Sequence, residues 1–310
     1  MKKILITGGT GVVGTAFIKK CYSIMEEKVH AYKLYTYSRG EKHIATLNNR
    51  YPNVETIIGD IKDLDYLINT FERIKPDIVI HTAAIKHVSL AELNPKQTAE
   101  NNIIGSLNVV KASIRAKVPL TVGISTDKAC SPENTYGYSK KIMEEIFMEH
   151  HNEDTRFICT RFANVADCEG SVIPTWKKLA SNNEVLKLTD KKMNRLMFTT
   201  EEAASLIHKA IDYSNSHPEK SFIFSKNMKT VNMFNLAKVL SSNIEIIGAR
   251  AGEKLNETLI SNKELPYSKT YGDYILIFKE IQEEKYRYPT ELSSLTAEKM
   301  DSNDIAKLLA

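Results

Sequence analysis

The chain has 310 residues, of which 42% are apolar, and its formal net charge is +4. A chain of this size and composition can bury one large core, or one core with a smaller appended subdomain, which excludes a disordered protein. The charged residues are spread along the chain without a block of one sign. This distribution argues against a nucleic-acid-binding arm and favours an anionic small molecule as the ligand.

The sequence indicates neither a membrane segment nor a leader peptide. No apolar stretch reaches the length of a membrane span, and glycines interrupt the apolar run near the N-terminus before any cleavage site. The cysteines show neither a paired C-x-x-C nor metal-ligand spacing: Cys21, Cys130, Cys159 and Cys168. We therefore expect reduced thiols in a cytoplasmic protein, with no metal site and no nucleic-acid or membrane partner.

Short apolar runs alternate with helix-like segments over the first 165 residues or so, which predicts a doubly wound parallel sheet of the Rossmann type in an α/β fold. The predicted strands span 3–7, 33–38, 54–59, 78–82, 120–125 and 156–160. The predicted helices between them span 14–27, 64–74, 95–117 and 136–151.

Beyond Asn164 the pattern is less regular. It predicts a loop-rich stretch over 170–194 and helices over 201–213, 233–240 and 302–309. We therefore predict a nucleotide-binding Rossmann domain over 1–164, completed by about 196–228. The segments 165–195 and 229–310 are expected to form a smaller C-terminal subdomain that binds the substrate.

A glycine-rich turn follows the first predicted strand, with Gly8, Gly11 and Gly14 in G-x-x-G-x-x-G spacing. The first two glycines permit a tight turn and a close approach of the backbone to a pyrophosphate, and the third permits close packing of helix on strand. The helix N-terminus then offers unpaired N–H groups to the anion. The segment predicts a dinucleotide site formed by Gly8, Thr10, Gly11, Val12, Val13 and Gly14.

The end of the second strand indicates which dinucleotide binds. An NAD enzyme of this fold usually places an acidic residue there, but this chain has Ser38-Arg39, with Lys42 close behind. A guanidinium can pair with a ribose phosphate, so NADP is favoured over NAD; the alternative is that Arg39 is a solvated loop cation. Four further residues follow the third and fourth strands and are expected beside the cofactor: Asp60, Ile61, Ala83 and Ala84.

Tyr136 and Lys140 have the Y-x-x-x-K spacing, which on a helix places both side chains on one face. A nearby ammonium favours the phenolate, so the tyrosine is expected to become a usable base. Because the pair follows a nucleotide turn and a fifth strand, we interpret it as catalytic and also as part of the cofactor site.

The segment Ser125-Thr126-Asp127-Lys128-Ala129 gives the sequence a specific resemblance to a known enzyme family. Together with Tyr37-Ser38-Arg39, the run from His81 to Val88, Gly170-Ser171-Val172-Ile173-Pro174 and Gly252-Glu253-Lys254, it resembles the inverting UDP-N-acetylglucosamine 4,6-dehydratases of the extended short-chain dehydrogenase superfamily. Dehydratases that retain configuration at carbon 5 typically have Thr-Asp-Glu where this chain has Thr126-Asp127-Lys128. Arg250-Ala251 and Ala163-Asn164 depart from the family's Arg-Pro and Gly-Asn, which affects loop shape rather than polar side chains.

The resemblance implies an NADP-dependent lyase that acts on a UDP-N-acetylhexosamine. Thr126 would hydrogen-bond the 4-oxygen, Asp127 would protonate the departing 6-hydroxyl, and Lys128 would remove the hydrogen on carbon 5 once burial lowers its pKa. Further positions match the substrate cleft of relatives: Lys86, Asn164, Ser171, Val172, Arg195, Arg250 and Glu253. Asn102 matches a structural asparagine placed near the cofactor, and a homo-oligomer, dimer or hexamer, is expected.

Two other functions remain open from the sequence. A UDP-hexose 4-epimerase or a sugar-nucleotide reductase would share the fold, the glycine turn and the Tyr136/Lys140 pair, but it would need no acid for carbon 6. A non-catalytic NADP-binding regulator of the same fold commonly loses the tyrosine or the lysine, and this chain keeps both.

Overall fold

A computed structural model describes residues 1–28, 30–166 and 171–309. Its strands are β1 Lys2–Thr7, β2 Tyr32–Ser38, β3 Glu55–Ile58, β4 Ile78–His81, β5 Leu120–Thr126, β6 Arg156–Phe162, β7 Asn164–Val165, β8 Leu186–Leu188, β9 Asn194–Phe198, β10 Ile223–Lys226, β11 Thr230–Asn232, β12 Ile244–Ile246, β13 Thr258–Ile260, β14 Ser268–Tyr271, β15 Tyr274–Ile277 and β16 Leu292–Ser293. Its α-helices are α1 Val12–Glu27, α2 Glu41–Arg50, α3 Leu64–Ile74, α4 Val88–Leu93, α5 Pro95–Ala99, α6 Gly105–Arg115, α7 Thr135–Glu149, α8 Val172–Ser181, α9 Thr200–Ser216, α10 Met233–Leu240 and α11 Ser302–Leu309.

One large sheet dominates the described residues, with strand order β3-β2-β1-β4-β5-β6-β10-β15-β14. The strands from β3 to β10 pair in parallel, whereas β15 and β14 add an antiparallel edge. The chain reverses its direction of winding between β1 and β4, so a crevice opens at their carboxyl ends, where ligands bind in folds of this kind. The predicted doubly wound Rossmann sheet is confirmed.

The central strands form because their sequences are continuous apolar runs that helices cover on both faces. Leu5, Ile80, Val122 and Ile158 come from four adjacent strands and are fully buried. Each such side chain contributes roughly 1.5 to 3 kcal/mol through removal of its surface from water. Burial of this central layer fixes where the strand ends, and therefore the site residues, lie.

The segment predicted as one helix over 95–117 is broken. Helix α5 ends at Ala99, a wider π-helical turn spans Glu100–Ile104, and α6 begins at Gly105. The turn carries two buried asparagines, Asn101 and Asn102, and side-chain amides of this kind compete with regular helix bonding. The sequence pattern shows the apolar period but not this interruption.

The loop-rich stretch predicted over 170–194 contains regular structure that the sequence analysis missed. Helix α8 and strand β8 lie there and belong to a second apolar core, which includes Ile173, Trp176, Leu236 and Leu308. The predicted Cys168 and Gly170 lie outside the described residues. The helices predicted over 233–240 and 302–309 are present at those bounds.

The proposed domain boundaries stay a prediction, with one departure. The hairpin β14–β15 falls in the range 229–310 but pairs with β10 in the main sheet. That range is therefore divided between the main sheet and the second core. Within the described ranges, no helix has both the length and the apolar character needed to cross a lipid bilayer.

Candidate active site

A cavity of about 860 Å³ opens at the carboxyl ends of the parallel strands. Its walls come from the turn after β1, from the ends of β2, β4 and β5, and from the start of α7 on one side. Helix α8 and the loop 250–253 close it on the other side. The cavity thus lies between the main sheet and the second core, where the fold brings distant parts of the sequence together.

The glycine turn has the shape that an approaching pyrophosphate needs. Gly8 has a φ of +70°, and a Cβ there would lie 2.7 Å from the backbone of Ala83. A Cβ on Gly14 would lie 2.6 Å from Gly9 Cα, so this glycine packs the helix onto the turn and lies outside the cavity lining. Gly8, Thr10, Gly11, Val12 and Val13 all line the cavity. Gly11 is the N-cap of α1 and forms no side-chain cap, which leaves the helix N-terminus open to an anion.

The end of β2 also fits a nucleotide. Ser38 is buried, and its hydroxyl has no hydrogen-bond partner among the described residues, although it lines the cavity. Arg39 lines the cavity with a side chain that is 58% exposed, and its guanidinium lies 3.3 Å from the Asp60 carboxylate. The Ser38 hydroxyl and the partly exposed Arg39 guanidinium can both donate hydrogen bonds to a ribose phosphate.

Not every residue predicted beside the cofactor reaches the cavity. Ile61, Ala83 and Ala84 line it, whereas Asp60 and Lys42 do not. Lys42 lies exposed on α2. Asn102 also lies outside the lining: its side chain accepts from Ile85 N at 2.8 Å and donates to Ile85 O at 2.9 Å. It therefore holds the backbone of a cavity residue in place.

Thr126, Lys128, Tyr136 and Lys140 are brought to one wall of the cavity. Thr126 ends β5, and a 3₁₀ turn over Asp127–Ala129 directs the chain toward α7. The turn packs tightly on the helix because Gly137 has no side chain: a Cβ there would lie 2.3 Å from Lys128 O. Because the strand, the turn and the helix follow one another in the sequence, the Tyr136-Lys140 pair lies beside the Asp127-Lys128 pair.

Asp127 is fully buried beneath this wall and is not itself part of the lining. Its Oδ1 accepts from Thr126 Oγ1 at 2.9 Å and from Lys128 Nζ at 3.0 Å. Its Oδ2 is buried without a hydrogen-bond partner in the described part of the chain. Such an oxygen is costly to bury unless it carries a proton or meets a ligand group.

The pKa shifts at this wall differ in two cases from those expected. Burial lowers the pKa of Lys128, but the Asp127 and Glu257 carboxylates outweigh burial and hold it above its usual value. Burial raises the pKa of Tyr136 to about 12, although Lys128 and a hydrogen bond from Thr126 act in the opposite direction. Burial lowers the pKa of Lys140 to about 8. The expected fall in the pKa of Lys128 is therefore wrong for the protein without ligands, because the neighbouring carboxylates outweigh burial. The expected fall in the pKa of Tyr136 is also wrong there, because burial outweighs the nearby positive charge.

The residues expected to contact the substrate all line the cavity: Lys86, Asn164, Ser171, Val172, Arg195, Arg250 and Glu253. Lys86 and Arg250 are exposed. Arg195 is nearly buried and donates to the backbone carbonyls of Asn194, Leu255 and Lys254. Its guanidinium therefore shapes the loop that carries Arg250 and Glu253.

Comparison with known proteins shows which family the chain belongs to. A model of the family described as polysaccharide biosynthesis protein matches residues 4–279. The chain belongs to this family. UDP-N-acetylglucosamine 4,6-dehydratase (inverting) from Campylobacter jejuni is 34% identical over 91% of this chain and 84% of that protein, which confirms the resemblance inferred from the motifs.

Three further proteins are similar to this chain in sequence or in fold. UDP-glucose 4-epimerase from Rickettsia bellii is 32% identical over 89% of this chain and 82% of its own length. The solved structure of Pen from Bacillus thuringiensis covers 99% of this chain and 96% of its own, with a TM-score of 0.89 and 29% identity. A structure of DesIV (dTDP-glucose 4,6-dehydratase) from Streptomyces venezuelae has a TM-score of 0.70 at 18% identity, which shows the shared fold.

The sequence analysis missed a buried charged residue of the cavity. Glu257 is 2% exposed, lines the cavity, and places Oε1 at 3.7 Å from Lys128 Nζ. It directly precedes β13, which packs against the Asp127–Ala129 turn. Its only sequence signal is its position three residues after Lys254, which no spacing rule connects to Lys128.

Proposed function

We propose that this protein is an NADP-dependent lyase that dehydrates UDP-N-acetylglucosamine across carbons 4 and 6 with inversion at carbon 5. The product is a UDP-2-acetamido-2,6-dideoxy-L-hexos-4-ulose for cell-surface or glycan sugar synthesis. The observation that carries the proposal is the Asp127-Lys128 pair, 3.0 Å apart, beside Tyr136 at one wall of one cavity. This pair offers an acid and a base next to a tyrosine that can start an oxidation.

The cofactor would lie between the glycine turn and the Tyr136 wall. When bound, a nicotinamide cofactor supplies acceptance of a hydride from carbon 4 and its return to carbon 6. The Gly8 turn and the open N-terminus of α1 would hold the pyrophosphate, and Ser38 and Arg39 would hold the ribose phosphate of NADP. Lys140, whose pKa is lowered to about 8, lines the same wall.

Tyr136 is proposed to take the proton from the 4-hydroxyl while the Thr126 hydroxyl turns from Asp127 Oδ1 and donates its hydrogen bond to the same oxygen. Because burial raises the pKa of the phenol to about 12, the tyrosine needs nearby positive charge to act as a base at neutral pH. Lys128 already supplies part of that charge, and an oxidised nicotinamide is cationic.

Lys128 is proposed to remove the proton from carbon 5, which the 4-ketone has made acidic. Asp127 would then protonate the departing 6-hydroxyl, which leaves as water. The buried Oδ2 of Asp127, without a partner among the described residues, suits a carboxylic acid that waits for a hydroxyl. For this step the Asp127 side chain, which is fully buried beside Thr126 and Lys128, has to reach the substrate.

The final step restores each group. Inversion requires Tyr136 to return the proton gained from the 4-hydroxyl to the face of carbon 5 opposite the one from which Lys128 took its proton, so the sugar ring has to lie between the two side chains. Lys128 passes the proton taken from carbon 5 to Asp127, whose Oδ1 lies 3.0 Å away. The substrate loses one water in total, and turnover is redox-neutral.

The uridine diphosphate would lie toward the second core. Arg250 and Lys86 are exposed cations at the rim and suit a diphosphate. Glu253 accepts a hydrogen bond from Thr189 at 2.9 Å, so it is held for contact with sugar hydroxyls or uracil. We propose that the smaller subdomain binds the substrate and that the protein forms a homo-oligomer.

The second candidate is a UDP-hexose 4-epimerase, favoured by the Rickettsia bellii relative. An epimerase shares the oxidation at carbon 4, but it needs neither a base at carbon 5 nor an acid for the 6-hydroxyl. The buried Asp127-Lys128 pair has no task in that reaction. This difference makes the dehydratase the better proposal.

Incubation of the purified protein with UDP-N-acetylglucosamine and catalytic NADP tests the proposal. We expect conversion of many equivalents of substrate to a product lighter by one water, without net growth of reduced-nicotinamide absorbance. A product of unchanged mass would favour the epimerase. Stoichiometric accumulation of reduced cofactor would instead identify an ordinary dehydrogenase.

A further inference from the structure

Glu257 is a buried carboxylate that the mechanism above does not use. It is held from the backbone: Glu257 N donates to Ser294 Oγ at 3.0 Å, and Ser294 N donates to Glu257 O at 2.8 Å. Its side chain is 2% exposed and faces Lys128, with Oε1 at 3.7 Å from the lysine Nζ. The backbone contacts therefore hold the Glu257 carboxylate beside the Lys128 amine in the cavity.

The other charges around Glu257 are already engaged. Arg195 donates to backbone carbonyls. Lys254 Nζ donates to Ser131 O at 2.7 Å and pairs with Glu133 at 3.0 Å. Asp127 Oδ1 lies 3.0 Å from the same ammonium. Within the described ranges, Lys128 is the cation that pairs with the Glu257 carboxylate.

The proposed reaction creates a need that this geometry meets. Lys128 can act as a base at carbon 5 only after its ammonium loses a proton. While Asp127 and Glu257 are both ionised, their carboxylates hold the pKa of Lys128 above its usual value, so burial alone does not supply the free amine. Asp127 cannot accept the ammonium proton, because the proposed step requires it to be already protonated before it acts on the 6-hydroxyl.

We propose that Glu257 accepts the ammonium proton of Lys128 and so sets the lysine as the base; this inference rests on the proposed function. One N–H bond of Lys128 breaks and one O–H bond forms on Glu257, which turns a buried ion pair into a neutral amine and a neutral acid. After the amine has taken the carbon-5 proton and passed it to Asp127, Glu257 returns its proton to Lys128. Each group then regains its starting proton.

Burial and charge support the transfer. Burial raises the pKa of Glu257, whereas Lys128, Arg195 and Lys254 act in the opposite direction. A bound substrate would remove water from the pair and disfavour the ammonium, which moves the two pKa values toward each other. Because Glu257 acts through Lys128, it is a positioning residue rather than a group that touches the sugar.

A merely electrostatic role makes the opposite prediction. If Glu257 only stabilised the ammonium, its removal would lower the pKa of Lys128 and leave more free amine at neutral pH. Glu257→Gln would then dehydrate as fast as the wild type or faster at pH 7. If Glu257 is the acceptor, the same variant loses activity, because the proton must reach solvent instead.

The test compares Glu257→Gln with wild type and with Glu133→Gln, a matched loss of an exposed carboxylate that contacts Lys254. We expect Glu257→Gln to lower kcat about 10- to 100-fold at pH 7, with KM changed less than about twofold. Activity should rise with pH as the Lys128 amine loses its proton to solvent. Reduction of the cofactor in a single turnover should persist, and Glu257→Asp should restore part of kcat.

A second readout needs neither cofactor nor turnover. Competitive acetylation of Lys128 with acetic anhydride, followed by peptide mass spectrometry, measures the pH at which its amine becomes reactive. Glu257→Gln should shift that pH downward, and Glu133→Gln should not. An unshifted profile would show that Glu257 does not control the Lys128 proton.

The outcomes separate the inference from the function it rests on. A wild type that does not dehydrate the substrate removes the proposed function, whatever the acetylation profile shows. An active wild type with a Glu257→Gln variant equally fast or faster at pH 7 overturns the proton transfer alone. A slow variant whose activity does not recover at high pH, or is not partly restored by aspartate, also overturns it.

Discussion

Lys128 distinguishes the proposed chemistry from the other reactions that this fold supports. It is held between Asp127 and Glu257, and its side chain is 15% exposed toward the cavity. Lys128→Ala should lower product formation about 10²- to 10⁴-fold, the range for loss of a single general base. Tyr136 would still start the oxidation, so rapid-quench analysis should find reduced cofactor with a 4-keto sugar. Lys111→Ala, which removes an exposed lysine on α6, is the control; a fully active Lys128→Ala enzyme would remove the lysine from the mechanism.

We expect Arg39 to determine whether the protein prefers NADP to NAD. Arg39→Ala should weaken NADP binding by about 1.5 kcal/mol, roughly tenfold in Kd, and leave NAD binding nearly unchanged. The low end of the range for a charged hydrogen bond is expected because the side chain is half exposed and already contacts Asp60. Lys42→Ala is the control, since Lys42 lies outside the cavity. Calorimetric titration that shows equal losses for both cofactors would mean that Arg39 does not contact the phosphate.

Spacing predicted which residues meet, but not their proton affinities. The Tyr136-Lys140 turn and the Thr126-Asp127-Lys128 segment are local patterns, so the sequence could place them on one wall. The raised pKa of Lys128 depends on the neighbouring Asp127 and also on Glu257, which lies far along the chain. No sequence rule connects such a pair, because tertiary packing alone brings β13 to the 3₁₀ turn.

A buried ion-pair network ties α7 and β6 to the segment after β13. Arg161 is fully buried, and its guanidinium pairs with Glu144 at 2.8 Å and with Glu264 at 2.9 Å. Glu264 also accepts from Cys130 Sγ and from Ser261 N, each at 3.0 Å. The network holds α7, and therefore Tyr136, against the sheet.

Glu264→Gln should destabilise the protein by about 2 to 3 kcal/mol at pH 7, because a buried guanidinium loses one of its carboxylates and keeps the other. Arg161 holds the pKa of Glu264 at about 2, below its value near 4.3 in the unfolded chain. The carboxylate therefore stabilises the fold above pH 4.3, and that stabilisation is lost as pH falls toward 2. Urea unfolding should show a constant difference from wild type between pH 7 and 5 that shrinks in acid; a difference independent of pH would contradict the ion pair.

Local patterns predicted the strands and most helices of the main sheet, since each rests on a continuous apolar run or an amphipathic period. The missed elements depend on partners elsewhere. Helix α8 forms because Ile173 and Trp176 pack into the second core, which the sequence pattern around them does not show. The π-helical turn forms where Asn102 binds the backbone of Ile85, a contact between segments that sequence periodicity cannot connect.

Trp176, the single tryptophan of the chain, belongs to the second core and lines the cavity. Its indole donates to Lys187 O at 3.3 Å. Because the proposed uridine diphosphate lies on this side, UDP should change the tryptophan emission in a saturable titration. Adenosine 2′,5′-bisphosphate, which would bind near Arg39, should change it little. A response to the adenosine ligand and none to UDP would reverse the proposed orientation.

The antiparallel hairpin β14–β15 shows the limit of dividing this chain by sequence. Its residues lie late in the chain but complete the edge of the main sheet beside β10. Short strands at a sheet edge show little hydrophobic periodicity in the sequence. The sheet that they join is determined by tertiary packing. The sequence could predict the fold class but not how the last third of the chain is shared between the two cores.

Proton nuclear magnetic resonance of the product formed from UDP-N-acetylglucosamine in deuterated water tests the central claim most directly. The account predicts a 4-keto-6-deoxy sugar with one solvent deuteron on carbon 5 and the coupling constants of the L-configuration, because Lys128 removes the original proton and Tyr136 returns another on the opposite face. A product of D-configuration would contradict inversion, and a hexose with its 6-hydroxyl intact would contradict dehydration itself.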